Sequence, residues 1–172
     1  VEVHPADATA ANLTDGGYTK VATAYGECVM KVMISEGQRQ GSMFVPIHWS
    51  DETASSARIG ALVTPRADPH SGQPEMKAPP ASISPVEEHF HGLLLRSSGG
   101  PLPDVCHWVR TPVEEGQLYR LTGLATEPEG DSLTQFAEAI LVPPPGSEWM
   151  EMSDAKRGVL RVAIVHEGIL EA

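Results

Sequence analysis

Glycine and proline interrupt this chain so often that they leave room only for short regular elements. Sixteen glycines and fifteen prolines are spread over 172 residues. Proline lacks the N–H that helix and sheet interiors need, and glycine loses the most backbone freedom on ordering, so both end regular structure. The apolar stretches between them are short, as in Gly92-Leu93-Leu94-Leu95. None approaches the ~20 residues of a membrane-spanning helix. Such a chain reads as short strands joined by turns, with little helix.

Val3 to Leu13 reads as a strand end followed by a short helix that begins at His4 or Pro5, because proline suits a first turn. Asp15-Gly16-Gly17 is a turn signal. Tyr18–Thr23 and Cys28–Ile34 alternate and carry β-branched residues, which predicts a hairpin turned at Tyr25-Gly26-Glu27. Met43-Phe44-Val45-Pro46-Ile47 predicts a third strand. Three short strands in close succession after a short helix read as a small β-barrel. Residues 50–86 lack regular periodicity and read as a long, ordered, functional loop. The first domain is therefore placed at 1–86.

From Glu87 the character changes, and residues 87–172 read as a second, α+β domain. His89–Ser97 predicts a strand. Val105–Thr111 and Leu118–Ala125 predict a hairpin joined through Pro112-Val113-Glu114-Glu115-Gly116. Asp131 or Ser132 can cap a helix running to about Leu141, with Leu133, Phe136, Ala137 and Ile140 on one face. Pro143-Pro144-Pro145-Gly146 ends it. Glu148–Met152, Val159–Val165 and Ile169-Leu170 predict further short strands, and Trp149 is expected to pack against the helix.

The charge narrows the partners. Twenty-three acidic residues against twelve basic ones give a net charge of −11. Nucleic acid and anionic membrane surfaces call for basic patches and are not expected partners. A phosphorylated ligand is compatible, since a few lysines or backbone N–H groups suffice to hold one. Cys28 and Cys106 are far apart and belong to no C-x-x-C pair; a disulfide between them is one reading, and two buried free thiols in a cytoplasmic protein is the plainer one. His89 and His91 share a strand face and, with His107, invite a metal reading. A structural zinc site needs further Cys or His at ligand spacing, and none is present, so no metal site is expected. No G-x-S-x-G and no phosphate-binding loop occurs, and no catalytic residue is assigned.

Three stretches, taken in order, carry a family resemblance. The first is Val3-His4-Pro5-Ala6-Asp7-Ala8, followed by Asp15-Gly16 and Gly26. The second is Gly41-Ser42-Met43-Phe44-Val45-Pro46-Ile47-His48-Trp49. The third is Leu62, then Asp68-Pro69-His70-Ser71-Gly72-Gln73-Pro74-Glu75-Met76-Lys77. Together they resemble the C-terminal molybdopterin dinucleotide-binding domain of the molybdopterin oxidoreductases, in the form found in bacterial assimilatory nitrate reductase catalytic subunits. Cys106-His107-Trp108-Val109-Arg110, and Asp154 through Arg161-Val162-Ala163, are similar to the extension that follows this domain.

The resemblance implies a mainly β fold, a double-psi β-barrel whose first strands lie upstream of Val1, plus a small α+β C-terminal extension. It implies a fragment of a molybdenum enzyme that reduces nitrate to nitrite by two electrons in nitrate assimilation. The cofactor would be bis-molybdopterin guanine dinucleotide (bis-MGD) with molybdenum, and any iron–sulfur cluster would belong to upstream regions. Partners would be upstream domains of the same polypeptide and an electron-donor protein. The fragment alone would be inactive. The same domain of a formate dehydrogenase or another oxoanion reductase is the alternative, and a non-enzymatic partner-docking domain is a third.

The resemblance also supplies candidate cofactor-binding residues. Lys77 matches the closing lysine of the motif, and an ammonium offers three donors to a phosphorylated, electron-rich ligand. Gly60, 17 residues earlier, stands where the family carries an asparagine that reads the pterin edge. Ile47, His48 and Trp49 fall on a loop that related enzymes place near the cofactor and the substrate funnel. The plainer reading there is a packed Trp49 and a His48 bonded to a backbone carbonyl. Gly72 and Gln73, with Ser71, would turn backbone N–H groups to the ligand, or merely shape a turn with Asp68.

Overall fold

A computed structural model describes residues 1–97, 102, 106–123 and 132–172 of the chain. It divides into two compact units, Val1–Glu88 and His89–Ala172.

The first unit holds six strands in two three-stranded sheets. β1 (Glu2–Val3) runs directly into helix α1 (Pro5–Ala10). The His4 ring caps that helix, its Nδ1 accepting from Ala6 N–H at 3.1 Å, and Pro5 takes the first-turn place. β2 (Tyr18–Thr23) pairs antiparallel with β3 (Glu27–Lys31), as the alternation predicts. Thr19 and Val21 point inward and are fully buried. The Thr19 hydroxyl donates to the Ser84 carbonyl at 2.8 Å, which removes the cost of burying it.

Cys28–Ile34 is not one continuous strand. It breaks at Val32, between the end of β3, which pairs with β2, and the start of β4 (Met33–Ile34), which runs parallel to β1. At the break Val32 bonds across to Gly16 and Gly17. One run of sequence thus serves both sheets and turns the corner between them. β5 (Met43–Phe44) pairs antiparallel with β1, and the sheet order is β4-β1-β5. It is shorter than Met43–Ile47 because Pro46 cannot donate to a ladder.

The long loop predicted over residues 50–86 is only partly a loop. A single 3₁₀ turn forms at Ile59–Ala61. β6 (Ala81–Val86) pairs with the whole length of β2 and completes the order β3-β2-β6. Its serines and Pro85 are weak strand formers, and it exists because β2 templates it. Pro85 is tolerated because β6 is an edge strand.

Two small cores hold this unit. Val21, Cys28, Met30, Ile59 and Leu62 form one, with Trp49 packed against it. Val3, Ala8, Leu13 and Val32 form the other. Each fully buried aliphatic side chain contributes about 1.5–3 kcal/mol. The exposed Lys20–Glu27 and Arg58–Asp51 ion pairs, at 3.3 and 3.6 Å, contribute about 0–1 kcal/mol each, so apolar burial dominates.

In the second unit, β7 (Phe90–Arg96), β8 (His107–Val113) and β9 (Gly116–Gly123) form a sheet of order β7-β9-β8. The β8–β9 connection is tighter than predicted: Pro112 and Val113 remain in β8, and only Glu114-Glu115 turn. Helix α2 (Ser132–Ile140) lays Ala137 and Ile140 on the core with Leu94, Trp108, Tyr119 and Ile164. Trp108 and Tyr119 meet edge-on at 5.8 Å. β10 (Glu148–Asp154), β11 (Val159–His166) and β12 (Ile169–Leu170) form the last sheet, and Trp149 packs against the core that α2 lines. The predicted positions Val105, Leu124, Ala125 and Asp131, and the acidic run from Glu127 to Asp131, lie outside the described residues. No helix among the described residues is long and apolar enough to cross a membrane.

Candidate functional site

The motif residues fall into two groups, those that hold the first unit together and those on its surface. Asp7 belongs to the first group. Its Oδ2 accepts from Gly41 N–H at 2.7 Å, tying helix α1 to the start of the second motif. Asp15 Oδ1 accepts from Ile34 N–H at 2.8 Å and pins β4. Gly26 lies against the 3₁₀ turn: a Cβ there would sit 2.6 Å from the Ala61 carbonyl oxygen. Thr23 Oγ1 donates to the Leu62 carbonyl at 2.9 Å and fastens the same turn.

That turn carries Gly60. Its neighbours Ile59 and Leu62 are buried, while Gly60 itself is exposed, and a Cβ added to it would meet nothing within 4 Å. The backbone there would accept an asparagine, so glycine is not demanded by the fold. Trp49 packs on the core that Ile59 and Leu62 complete. Its indole N–H has no acceptor among the described residues. Ile47 and His48 form a turn just before it, and both are exposed. The structure therefore places Trp49 and the two neighbours of Gly60, Ile59 and Leu62, on one small core, while Ile47, His48 and Gly60 themselves are exposed. Of the two sequence readings of this segment, the packed Trp49 is what the fold displays, whereas His48 has no backbone carbonyl bond among the described residues.

The closing motif is a separate feature, an exposed hairpin-like loop. Ala67 and Pro74 form an isolated bridge at its base. Asp68 Oδ1 accepts from Ser71 N–H at 2.7 Å, from the Ser71 hydroxyl at 3.0 Å and from His70 N–H at 3.0 Å. These bonds favour the ionised carboxylate and hold the Asp68 pKa below its ordinary value, the Ser71 N–H contributing most. Gly72 N–H donates to the Asp68 carbonyl at 2.9 Å and Gln73 N–H to Ser71 Oγ at 3.2 Å. Gly72 has φ +71°, which its lack of a Cβ permits. The backbone donors of Ser71, Gly72 and Gln73 are thus spent inside the loop. An open groove of about 560 Å³ runs along it, lined by Arg66, Asp68, Ser71, Gln73 and Glu75. Lys77 follows, exposed, with no hydrogen bond or ion pair among the described residues.

Each loop carries donors that suit an anionic, electron-rich ligand: the His48 ring and the Trp49 indole N–H on one, the Gln73 amide and the Lys77 ammonium on the other. The sequence reading missed Arg66, which lines the loop groove; its only signal was a second cation eleven residues before Lys77. In the second unit, His91, Thr122 and His107 fall in one register row across β7, β9 and β8, with Thr122 Oγ1 3.5 Å from His91 Nδ1. No group of three His, Cys, Asp or Glu residues placed to hold a metal ion occurs among the described residues. Cys28 and Cys106 are free thiols.

Residues 1–80 match the family model of the molydopterin dinucleotide binding domain, and this part of the chain belongs to that family. Among curated proteins, a nitrate reductase of Klebsiella oxytoca is 42% identical over 110 residues, which is 64% of this chain and 13% of the relative. Since the family match ends at residue 80, at least 30 of those 110 residues lie beyond it. The assimilatory nitrate reductase catalytic subunit of Bacillus subtilis is 29% identical over 86 residues, 50% of this chain and 12% of the relative. The F420-dependent formate dehydrogenase 1 subunit alpha of Methanococcus maripaludis is 31% identical over a stretch of the same length, again 50% of this chain and 12% of the relative. The chain spans about an eighth of the length of these relatives.

Proposed function

We propose that this chain is the C-terminal, cofactor-covering part of a molybdenum nitrate reductase, acting in the cytoplasm within a longer polypeptide. The observation that carries this reading is the 42% identity to the Klebsiella oxytoca nitrate reductase, which continues past the binding domain itself. In this reading the first unit is a double-psi barrel domain that closes over bis-MGD. Lys77 and the Gln73 side chain hold phosphate or pterin oxygens from the closing loop. His48 and the Trp49 indole N–H contribute donors from the other motif loop, with Ile47 beside them, and Gly60 leaves open space where an asparagine would reach the ligand. Gly72 acts through the shape of the loop, since its N–H is already bonded. When bound, the cofactor supplies the two-electron chemistry through molybdenum, and the chain's own residues bind, orient and exclude water. Upstream domains complete the site, and an electron-donor protein supplies the electrons.

Expression of the whole polypeptide, with bound pterin and molybdenum measured per chain, tests this. The expected result is nitrate-dependent oxidation of a reduced viologen dye, and a several-fold lower cofactor content in Lys77→Ala with thermal stability unchanged. Formate-dependent dye reduction in place of nitrate reduction would select the formate dehydrogenase reading, which the 31% identical relative favours. Cofactor content indifferent to Lys77→Ala would refute the assignment of the closing loop.

A further inference from the structure

Among its described residues, the second unit contains a gap one strand wide. Among the described residues β7 pairs only with β9. β11 pairs with β10 from Val159 to Val165, but with β12 only at Val165 and His166. The chain runs on from β12 between the two sheets. Ile164 N–H donates to the Ala172 carbonyl at 2.9 Å and Glu171 N–H to the Ile164 carbonyl at 2.8 Å. On the other side, Ser97 N–H, just past β7, donates to the Glu171 carbonyl at 3.2 Å. Residues 171 and 172 are therefore bonded to β11 on one flank and to the end of β7 on the other. The two strands stand two strand spacings apart at that point, each spacing ~4.8 Å.

Further along, the same gap is a cleft of about 270 Å³, lined by Leu93, Leu95, Leu160 and Val162 with Phe136 and Ile140 of α2. Along a strand, residues two apart direct their main-chain groups to the same side. Ser97 points its N–H into the gap, so Leu95 and Leu93 do too. Ile164 points into it from the opposite strand, so Val162 and Leu160 follow. The cleft is thus an apolar slot walled by two strand edges.

The composition of the edges says which of them are built to stay open. Native sheets guard free edges with charge or proline. The outer strand β8 carries Arg110 and Pro112, and the outer strand β10 carries Glu148 and Glu151. From Phe90 to Leu95, β7 carries neither a charged residue nor a proline, and Leu93 is 74% exposed. The space is below the size usual for drug-like ligands, and apart from His91 its lining side chains are apolar, which leaves main-chain edges of the kind by which sheets recognise strands.

We propose that this cleft is a strand-acceptor site. An extended segment of a partner polypeptide, with branched apolar residues at alternate positions and basic residues at its ends, adds in line with β12 and antiparallel to β11. It joins the two sheets of the unit into one. Its inward side chains cover α2, and its outward ones lie beside Leu93 and Leu95. Basic ends complement the net charge of −11.

The test uses the full 172-residue chain and a synthetic peptide of alternating valine and threonine with a lysine at each end. Hydrogen exchange is read residue by residue with and without the peptide. The expected result is at least about tenfold slower exchange at Leu93, Leu95, Leu160 and Val162. Leu93→Pro removes one edge N–H at a position where an edge strand tolerates proline, and should weaken binding about tenfold. The same peptide N-methylated at alternate residues should weaken binding as much, with the protein unaltered. Equal binding of the plain and N-methylated peptides, or protection elsewhere than these four residues, would overturn the proposal. So would a concentration-dependent dimer protecting the same four amides without peptide, because a second copy would then be the occupant.

Discussion

Gly26→Ala should destabilise the first unit from the inside, although the residue is neither in a core nor at a left-handed backbone angle. The added methyl would lie 2.6 Å from the Ala61 carbonyl oxygen and 3.3 Å from its carbon, both backbone atoms that cannot rotate away. The 3₁₀ turn has to move. It carries Ile59 and Leu62, both buried, and its shift strains the bond from Thr23 Oγ1 to the Leu62 carbonyl. Overpacking of this kind costs about 1–3 kcal/mol, and the strained bond about 1 kcal/mol more. For a unit of this size each kcal/mol lowers Tm by roughly 4–8 °C, so a fall of at least about 8 °C is expected. Gly60→Ala is the control: its Cβ enters open space, and shedding a glycine stabilises by about 0.4–1 kcal/mol at most. Calorimetry gives the shift, and hydrogen exchange should localise it to the amides of Ala61 and Leu62, which bond to Arg58 and Ile59. If both variants melt within about 2 °C of the parent, a quarter of the smallest shift expected, the turn is soft and the close approach does not constrain this fold.

Asp7→Ala removes the acceptor of the Gly41 N–H. It should cost about 1 kcal/mol and raise the exchange rate of residues 41–44 before it affects β2; uniform loss across the unit would contradict the latch role. The Asp68 carboxylate, held below its ordinary pKa by the Ser71 and His70 donors, orders its loop while ionised. That contribution is fully present above the unfolded pKa and is lost as pH falls through the lower folded value. An NMR titration should therefore show the Ser71 amide shifting with a midpoint below that of a free aspartate. Burial pushes the Cys106 thiol up to about 11 and the Cys28 thiol upward as well. At pH 8 both should alkylate far more slowly than free cysteine and at its rate in urea. The Cys106 share of stability should be lost as pH rises from its unfolded pKa through about 11.

The elements legible in the sequence were those with their own local reason to form. Tyr18–Thr23 alternates and is flanked by turns, and β2 occupies those residues. His4-Pro5 marks a helix start, and α1 begins at Pro5. β6 was not legible, because Ser82, Ser84 and Pro85 argue against a strand and only the partner β2 makes one. The split of Cys28–Ile34 was hidden for a related reason. Its residues suit a strand throughout, and what breaks it at Val32 is a change of partner from β2 to β1. On the candidate site, Trp49 and the 3₁₀ turn that carries Gly60 are separated in sequence, and the core to which Trp49, Ile59 and Leu62 all belong links them.

The motifs that carry the family resemblance therefore divide by physical role. Asp7, Asp15 and Gly26 meet backbone atoms of distant elements, and what they specify is a particular crossing of α1, β4 and the 3₁₀ turn. A chain keeps such residues as long as it keeps the fold, whatever it binds. Lys77, His48 and Gly60 are exposed and fasten nothing among the described residues. Among the described residues the Lys77 side chain bonds to nothing in the fold, and that is the ground on which the proposed function gives it to the cofactor. The two groups should separate in experiment: changes at the first lower stability and take binding down with it, whereas changes at the second leave melting untouched and alter cofactor retention alone. A Lys77→Ala variant that lost stability would place the lysine with the fold-holding group and remove the ground for seating a cofactor at this loop.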